Sequence, residues 1–331
     1  MPAYAIGVDL GGTNLRIAAI DENGTLLHKV TLGTEVAKGR DFVVGEMTAA
    51  IRQMLDTLKV PGELKGIGIG VPGIIDKATG FMYESPNLPD WANYPVHSDI
   101  ERRLGTPVVL ENDANSAALG EKWLGAGRDV ETMVMLTLGT GVGGGIVMDG
   151  KIWQGMNGMA GELGHITVDP VGQLCGCGNK GCLEQYASAT AITRMANEAI
   201  QAGGADSLKN LRDAHPEDFN SKIIYQAAVQ GDRAAQEVFN KVGRALGTAI
   251  ADMVNAFNPH MFVIGGGASN AWDAFSPAIF AEVQKRSFVY RATAPKEGGA
   301  LANPRKTIIT RAQLGGDAGL FGAARLPLQR S

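Results

Sequence analysis

The sequence predicts an α/β fold made of two related domains. Strands alternate with helices along the chain, and a strand–glycine loop–strand unit occurs twice, at residues 4–20 and again at residues 132–148. Because such a repeat is typical of a duplicated domain, we expect two similar halves that face each other across a cleft. A chain of 331 residues is long enough for two domains that each bury an apolar core.

The first half is predicted to begin with a β-meander. Apolar alternation at residues 4–9 and 15–20 flanks the glycine turn, and a second turn, DENG at residues 21–24, precedes another strand. Apolar spacing then predicts a helix at residues 42–58, a buried strand at 65–71, a short helix at 94–104, a strand at 107–110 and a helix at 115–124.

The second half repeats this opening and adds helices. The predicted elements are strands at residues 132–138 and 144–148, mostly helix over 189–257 with a polar connecting loop at 203–221, strands at 261–264 and 307–310, and a final helix from residue 318. We expect a smaller domain at residues 1–116, completed by the C-terminal helix at about 317–331, and a larger domain at 117–316. Residues 288–290 are predicted to form a buried strand or the edge of a helix.

Composition excludes several classes of protein. The net charge is −4, which argues against a nucleic-acid partner, because such a surface needs a basic field. No apolar run is long enough for a membrane span, and the N-terminus lacks the basic and apolar regions of a signal peptide, so we expect a cytoplasmic protein. The 45 glycines indicate tight turns and places where the backbone approaches a ligand.

The three cysteines predict a metal site. Cys175, Cys177 and Cys182 lie within eight residues, and His165 lies ten residues before the first of them. Three thiolates and an imidazole make a tetrahedral set for structural zinc, with no position left open for water. Asp169 and Glu184 are alternatives for the fourth ligand.

Two glycine loops are candidate phosphate sites. Gly139, Gly141 and Gly144 have the spacing of a dinucleotide fingerprint, but a strand follows them where that fingerprint needs a helix. The chain also has no Walker A run. Backbone N–H groups of the Gly12-Thr13 and Gly139-Thr140 loops can still bind phosphate, with plain hairpin turns as the alternative.

The run LENDAN, from Leu110 to Asn115, places polar groups where a buried strand ends and a helix begins. One of these residues can cap the helix, since Asp and Asn do this well. Four polar residues exceed what a cap needs, and an Asp at a helix N-terminus stays ionised easily. Such a carboxylate suits the orientation of a hydroxyl nucleophile.

Taken together, these motifs resemble the ROK family of bacterial sugar kinases and sugar-sensing repressors, and most of all its glucokinases. The likeness spans nearly the whole chain. The runs that carry it are DLGGTN from Asp9, VPG from Val71, ENDAN from Glu111, LGTGVGGG from Leu138, AGELGH from Ala160, CGCGNKGCLEQYASAT from Cys175 and IGGG from Ile264.

The resemblance implies an actin/hexokinase-like (RNase H-like) fold of two domains with the sugar in the central cleft. Asp113 would be the base that orients the sugar 6-hydroxyl, and Asp9 would lie near magnesium. The implied sugar contacts are Gly73, Asn87, Asn112, Asp113, Glu162, His165 and Glu184. The implied ATP contacts are Asp9, Gly11, Gly12, Thr13, Gly139, Thr140, Gly141, Gly265, Gly266 and Gly267. His165 would bind zinc and also touch the sugar.

The resulting hypothesis is ATP-dependent phosphorylation of glucose by a homodimeric enzyme. A kinase for mannose, fructose, allose or an N-acetylhexosamine is the main alternative, because a few loop residues decide the pocket. A repressor of this family carries a helix-turn-helix before its phosphate motif, and here that motif begins within the first dozen residues. A sugar-responsive repressor, as a non-catalytic sugar sensor, is therefore less favoured. A zinc-ribbon binding module is no more favoured than the repressor.

Overall fold

The computed structural model describes residues 3–57, 62–85, 87–293 and 306–329, and the chain divides into two compact units. The first unit contains Met1–Glu131, Gly145–Gly161 and Ala312–Ser331, and the second contains Thr132–Gly144 and Glu162–Arg311. The predicted boundary after residue 116 falls inside a helix, Asp113–Leu124, which the first unit keeps whole.

The first unit contains a five-stranded sheet with helices. Its elements are β1 Ala3–Leu10, β2 Asn14–Asp21, β3 Leu26–Gly33, α1 Arg40–Thr57, β4 Glu63–Val71, β5 Ile74–Asp76, β6 Phe81–Glu84, α2 Val96–Leu104, β7 Val108–Asn112 and α3 Asp113–Leu124. The order of strands in the sheet is β3-β2-β1-β4-β7. Neighbours β1–β2 and β2–β3 are antiparallel, whereas β1–β4 and β4–β7 are parallel.

The C-terminal helix, Ala318–Leu328, packs on this sheet and on α3 because glycines allow a close approach. A Cβ at Gly68 of β4 would overlap the Ala323 carbonyl oxygen, and a Cβ at Gly322 would overlap the Ser116 carbonyl oxygen of α3. The predicted strand KGIGIGV therefore keeps glycines where a helix backbone lies against it. This packing fixes α3, which begins at Asp113, to the sheet.

A second five-stranded sheet repeats the plan of the first. Its strands are β8 Met133–Leu138, β9 Val142–Met148, β10 Lys151–Ile152, β11 Met261–Gly265 and β12 Ile308–Arg311. The order of strands is β10-β9-β8-β11-β12. The pairs β8–β11 and β11–β12 are parallel, and β9–β10 is antiparallel, so β8 corresponds to β1 and β11 to β4. The predicted duplication is confirmed.

The second unit also carries seven of the described helices. They are α4 Glu184–Ala187, α5 Ala189–Ala202, α6 Asp206–Ala214, α7 Ser221–Val229, α8 Arg233–Phe257, α9 Trp272–Arg286 and α10 Phe288–Ala292, and the C-terminal helix is α11. The connecting loop predicted at residues 203–221 was wrong, because α6 forms there around the fully buried Leu208. Residues 288–290 form a helix edge, with Tyr290 buried and Phe288 72% exposed. Among the described helices, none has the length and apolar character needed to cross a bilayer.

Candidate active site and metal centre

The candidate catalytic residues of the first unit lie at the carboxyl ends of its parallel strands. Asp9 of β1 pairs with Gly70 of β4, and Val71 of β4 pairs with Asn112 of β7. The Gly11–Thr13 loop and the β7–α3 junction therefore follow neighbouring strands at one edge of the sheet. This edge is where ligands bind in open α/β sheets.

The Gly11–Thr13 loop is anchored from the end of β3. The Thr34 hydroxyl donates to the Gly11 carbonyl oxygen at 2.6 Å, and the Thr34 N–H donates to the Thr13 carbonyl oxygen at 3.0 Å. Gly12 and Thr13 stay exposed. A Cβ at Gly12 would lie 3.4 Å from the Asn87 carbonyl oxygen, so the predicted sugar contact Asn87 lies beside the predicted phosphate loop.

Asp9 is held by an arginine that sequence reasoning missed. Arg16 Nη1 donates to Asp9 Oδ2 at 3.0 Å and also to the Gly316 carbonyl oxygen at 2.9 Å. Burial raises the pKa of Asp9, and the Arg16 guanidinium partly offsets this by lowering it. The meander pattern contains the relevant signal, because Asp9 and Arg16 are paired residues of β1 and β2.

Asn112 is the N-cap residue of α3. The sequence predicts that one polar residue of the LENDAN run can cap this helix. The Asn112 Oδ1 atom accepts from the Ala114 and Asn115 N–H groups at 2.9 and 3.2 Å, and Nδ2 donates to the Gly73 carbonyl oxygen at 3.3 Å. Gly73 has φ 128°, and a Cβ there would overlap the Glu84 carbonyl oxygen, so this position requires glycine.

Asp113 is the first residue of α3, and its Oδ1 accepts from the Ala114 N–H at 2.9 Å. The side chain therefore lies at the positive end of the helix dipole, where a negative charge is stabilised. A half-buried carboxylate in this position suits the acceptance of a hydroxyl hydrogen bond.

The sequence pattern includes Glu111 in the polar run before α3 but gives it no role of its own, and it does not indicate Lys77 or Gln154. Glu111 is 1% exposed, and its Oε2 accepts from Lys77 Nζ at 2.7 Å and from Gln154 Nε2 at 3.0 Å. The sequence places a carboxylate at the end of a buried strand, but it does not reveal partners 34 and 43 residues away.

In the second unit, the two predicted nucleotide loops follow adjacent parallel strands. The loop Gly139, Thr140 and Gly141 follows β8, and the loop Gly265, Gly266 and Gly267 follows β11, whose Gly265 pairs with Thr137. Gly266 has φ 82°, and a Cβ there would lie 2.5 Å from the Leu138 backbone nitrogen. The glycines therefore let the second loop pack directly against the start of the first.

Glu184 supports the first of these loops. Its Oε2 accepts from the Val142 N–H at 3.0 Å, and a Cβ at Gly141 would overlap the same oxygen. The structure thus places the predicted sugar contact Glu184 against the backbone of a predicted ATP loop. Glu162 is exposed, yet desolvation by its surroundings raises the pKa of its carboxyl; His165 lowers that pKa and Glu184 raises it.

The predicted metal ligands come together in the second unit. The ligand atoms of His165, Cys175, Cys177 and Cys182 all lie within 4.8 Å of one another. His165 Nδ1 lies 3.6 Å from Cys175 Sγ, and Cys177 Sγ lies 3.6 Å from Cys182 Sγ. Zn–S bonds of about 2.3 Å and Zn–N bonds of about 2.0 Å at tetrahedral angles place ligand atoms about 3.5–3.8 Å apart. The donor set therefore fits zinc.

The alternatives for the fourth ligand have other partners. Asp169 Oδ2 accepts from the Tyr186 hydroxyl at 3.0 Å. Glu184 Oε2 accepts from the Val142 N–H, while its Oε1 lies 4.0 Å from Cys175 Sγ. The group of ligand atoms that lie within 4.8 Å of one another contains His165 and neither of these carboxylates. Burial raises the pKa of the Cys182 thiol, and a divalent cation would displace that proton because metal binding requires the thiolate.

Comparisons with known proteins find one family and full-length relatives that match nearly the whole chain. A model of the ROK family matches residues 5–330. The chain is 39% identical over 325 residues to a glucokinase of Thermotoga maritima, covering 98% of this chain and 97% of that one. It is 39% identical over 329 residues to a glucokinase of Halalkalibacterium halodurans, covering 99% and 96% of the two chains.

A solved structure of the same family is also similar to this chain. The ROK family glucokinase from Streptomyces griseus, in complex with glucose and AMPPNP, is similar with a TM-score of 0.77 and 36% identity. The match covers 98% of this chain and 99% of that one. The likeness confirms the predicted two-domain actin/hexokinase-like fold class.

Proposed function

The chain belongs to the ROK family, and from this premise we propose that it transfers the γ-phosphoryl group of ATP to the 6-hydroxyl of D-glucose. Two relatives that match nearly the full length of the chain are glucokinases, and a similar solved structure holds glucose and an ATP analogue. The observation that carries the proposal is the ionisable Asp113 at the N-terminus of α3, at the sheet edge that also holds the Gly11–Thr13 loop.

Asp113 is the base in this proposal. Its carboxylate accepts the hydrogen bond of the sugar 6-hydroxyl and orients the oxygen for in-line attack. It takes the proton as the bond from this oxygen to the γ-phosphorus forms and the bond from that phosphorus to the bridging oxygen of ATP breaks, which releases ADP. Phosphoryl transfer passes through a loose transition state, so positioning and charge neutralisation supply most of the rate enhancement.

The glycine loops act on the phosphates of ATP. Gly12 and Thr13 are exposed residues, and their backbone N–H groups and those of the Gly139–Gly141 loop are the proposed donors for phosphate oxygens. Magnesium that enters with ATP would neutralise the developing charge, and Asp9 supplies the kind of oxygen ligand this ion prefers. The Gly265–Gly267 loop would hold the adenosine.

The sugar hydroxyls need groups that donate and accept, and the predicted contacts supply both. Asn87 and Asn112 supply amides, Glu162 and Glu184 supply carboxylates, and Gly73 supplies a carbonyl. Because the Asn112 oxygen caps α3, we propose that Asn112 meets the sugar through its Nδ2 group.

Zinc is the proposed resident metal, bound by His165, Cys175, Cys177 and Cys182. The ion would fix the imidazole and hold the loop between Thr167 and Cys182 in shape. His165 Nδ1 faces Cys175, so a ligating Nδ1 leaves Nε2–H as a donor for a sugar hydroxyl.

The test is ADP release by the purified protein with magnesium-ATP and a panel of glucose, mannose, fructose, allose and N-acetylglucosamine. Turnover that is highest on glucose and lost in Asp113→Asn supports the proposal. If only another hexose is phosphorylated, the proposed mechanism still holds, but glucose is not the substrate. A folded, zinc-loaded protein without turnover on any sugar would contradict catalysis and favour a sugar sensor.

We further propose a cytoplasmic homodimer. Free thiols and ATP are both available in the cytoplasm, and the cluster needs reduced cysteines to bind metal. Light scattering on the purified protein distinguishes a dimer from a monomer directly.

A further inference from the structure

Glu111 is a buried carboxylate that accepts hydrogen bonds on both sides of the proposed base. It is 1% exposed and lies at the end of β7, directly before Asn112 and Asp113. Oε1 accepts from the Asn112 backbone N–H at 3.0 Å and from Asn115 Nδ2 at 3.1 Å. The two donors on Oε1 therefore come from the residue before Asp113 and from the residue two positions after it.

The other oxygen, Oε2, joins this junction to two more segments. It accepts from Lys77 Nζ at 2.7 Å, in the turn between β5 and β6, and from Gln154 Nε2 at 3.0 Å, just after β10. Lys77 Nζ also donates to the Leu110 carbonyl oxygen at 2.6 Å. An ionised carboxylate offers about four acceptor sites, so these four donors fill the hydrogen-bonding capacity of Glu111.

A buried charge is costly unless it is paired and hydrogen-bonded, and Lys77 provides the opposite charge. Burial of this pair yields little net stability compared with apolar residues. Glu111 of this pair lies two residues before Asp113. Because hydrogen bonds fill every acceptor site of Glu111, they also restrict the backbone that carries Asp113.

We propose that Glu111 is a positioning residue for phosphoryl transfer, with Lys77 as its charge partner. The inference rests on the proposed kinase function. Glu111 fixes the Asn112 peptide and the Asn115 side chain, and these set the direction of the Asp113 carboxylate. A misplacement of about 1 Å at a reacting group can cost roughly a hundredfold in rate.

A matched control lies near the C-terminal end of α3, the helix that begins at Asp113. Glu121 of α3 is 0% exposed and accepts from the backbone N–H groups of Ala126, Gln313 and Leu314. These donors hold the end of α3 and the segment before α11, and none of them borders Asp113. If Glu111 only stabilises the fold, its substitution should change stability and kcat in the same way as substitution of Glu121. If Glu111 positions Asp113, only its substitution should lower kcat.

The central experiment compares Glu111→Gln with Glu121→Gln. Glutamine keeps the shape of Glu111, but its amide N–H₂ group replaces one of the two oxygens and meets two donors in either orientation. We expect Glu111→Gln to lower kcat at least about thirtyfold, with the glucose Kd from calorimetry within about threefold of wild type. Glu121→Gln lowers the melting temperature and leaves kcat within about twofold. A folded Glu111→Gln with wild-type kcat overturns the inference.

A double-mutant comparison tests the partnership with Lys77. Lys77→Met leaves the Glu111 carboxylate without its cation and lowers kcat. If both residues act through one carboxylate, Lys77→Met/Glu111→Gln loses no more kcat than Glu111→Gln alone. If the fold-losses in kcat of the two single variants instead multiply in the double variant, Lys77 does not act through Glu111.

Gln154→Met covers the case in which Glu111→Gln does not fold. Gln154 is only half-buried, so this variant should fold, and it removes one donor from Oε2. We expect kcat to fall several-fold at unchanged melting temperature, and an unchanged kcat overturns the inference. Wild type and Asp113→Asn are assayed alongside. A wild type without turnover refutes the kinase function itself, whereas normal Glu111 variants in an active enzyme refute only the positioning role.

Discussion

Glu121 gives a stability prediction whose size follows from its contacts. The carboxylate is fully buried and accepts from the Leu314 N–H at 2.7 Å, the Ala126 N–H at 2.8 Å and the Gln313 N–H at 3.0 Å. Glu121→Gln removes the charge, and each hydrogen bond to a charged acceptor is stronger than a neutral one by about 1 kcal/mol.

The amide of the variant also points a donor at one of these N–H groups. That N–H loses its acceptor, which costs about 1–3 kcal/mol. The gain from no longer burying a charge offsets part of the sum. We therefore expect Glu121→Gln to lower the free energy of unfolding by about 2–4 kcal/mol, which is a fall of roughly 5–15 °C in melting temperature for a unit of this size.

The assay is urea and thermal unfolding followed by circular dichroism, with Glu131→Gln as the matched control. Glu131 is exposed, so the same chemical change there should alter stability by less than about 0.5 kcal/mol. A loss below about 1 kcal/mol for Glu121→Gln would refute the reasoning, because the three backbone donors would then not depend on the charge.

Three further predictions concern the second unit. Cys175→Ala is expected to lower both the zinc content, measured by mass spectrometry, and the glucose affinity, measured by calorimetry; a normal metal stoichiometry would remove Cys175 from the ligand set. Gly266→Ala places a Cβ 2.5 Å from the Leu138 backbone nitrogen at φ 82°, so we expect a raised KM for ATP and lower stability, and wild-type values of both would contradict the loop geometry. Glu184→Gln is expected to weaken glucose binding about tenfold and ATP binding less, as a change at a hydrogen-bonded carboxylate; an unchanged glucose Kd would exclude this carboxylate from the sugar site.

The sequence predicts the plan of the fold because the plan depends on local pattern. The Gly11–Thr13 and Gly139–Gly141 loops each lie between two apolar strands, and the corresponding strands take the same places in the two sheets. The helix α6 was missed because its segment is polar and only Leu208 of it is buried. A single buried apolar residue does not produce the repeated spacing from which a helix can be predicted.

The metal cluster was predictable because its ligands are close in sequence, whereas the contacts of Glu111 were not. Cysteines at 175, 177 and 182 and the histidine at 165 span eighteen residues, so their spacing alone indicates a common site. Lys77 and Gln154 lie beside Glu111 only in the folded chain, where β7 pairs with β4 and residues 145–161 belong to the first unit. Burial and distant donors are properties of the folded chain.

The roles of neighbouring polar residues also needed the structure. The run from Glu111 to Asn115 indicates a cap, a base and further groups, but the sequence does not assign one role to each residue. The structure gives the cap to Asn112 and the first helical position to Asp113. The distinction depends on backbone angles at a single junction.

The central claim is that the Asp113 carboxylate is the base for phosphoryl transfer to glucose. The most direct measurement is a single-turnover assay of glucose 6-phosphate formation from magnesium-ATP by wild type and Asp113→Asn, with glucose Kd measured on both proteins. We predict that Asp113→Asn binds glucose within about threefold of wild type and transfers phosphate at least about a thousandfold more slowly. A folded Asp113→Asn that forms glucose 6-phosphate at the wild-type rate would contradict the account.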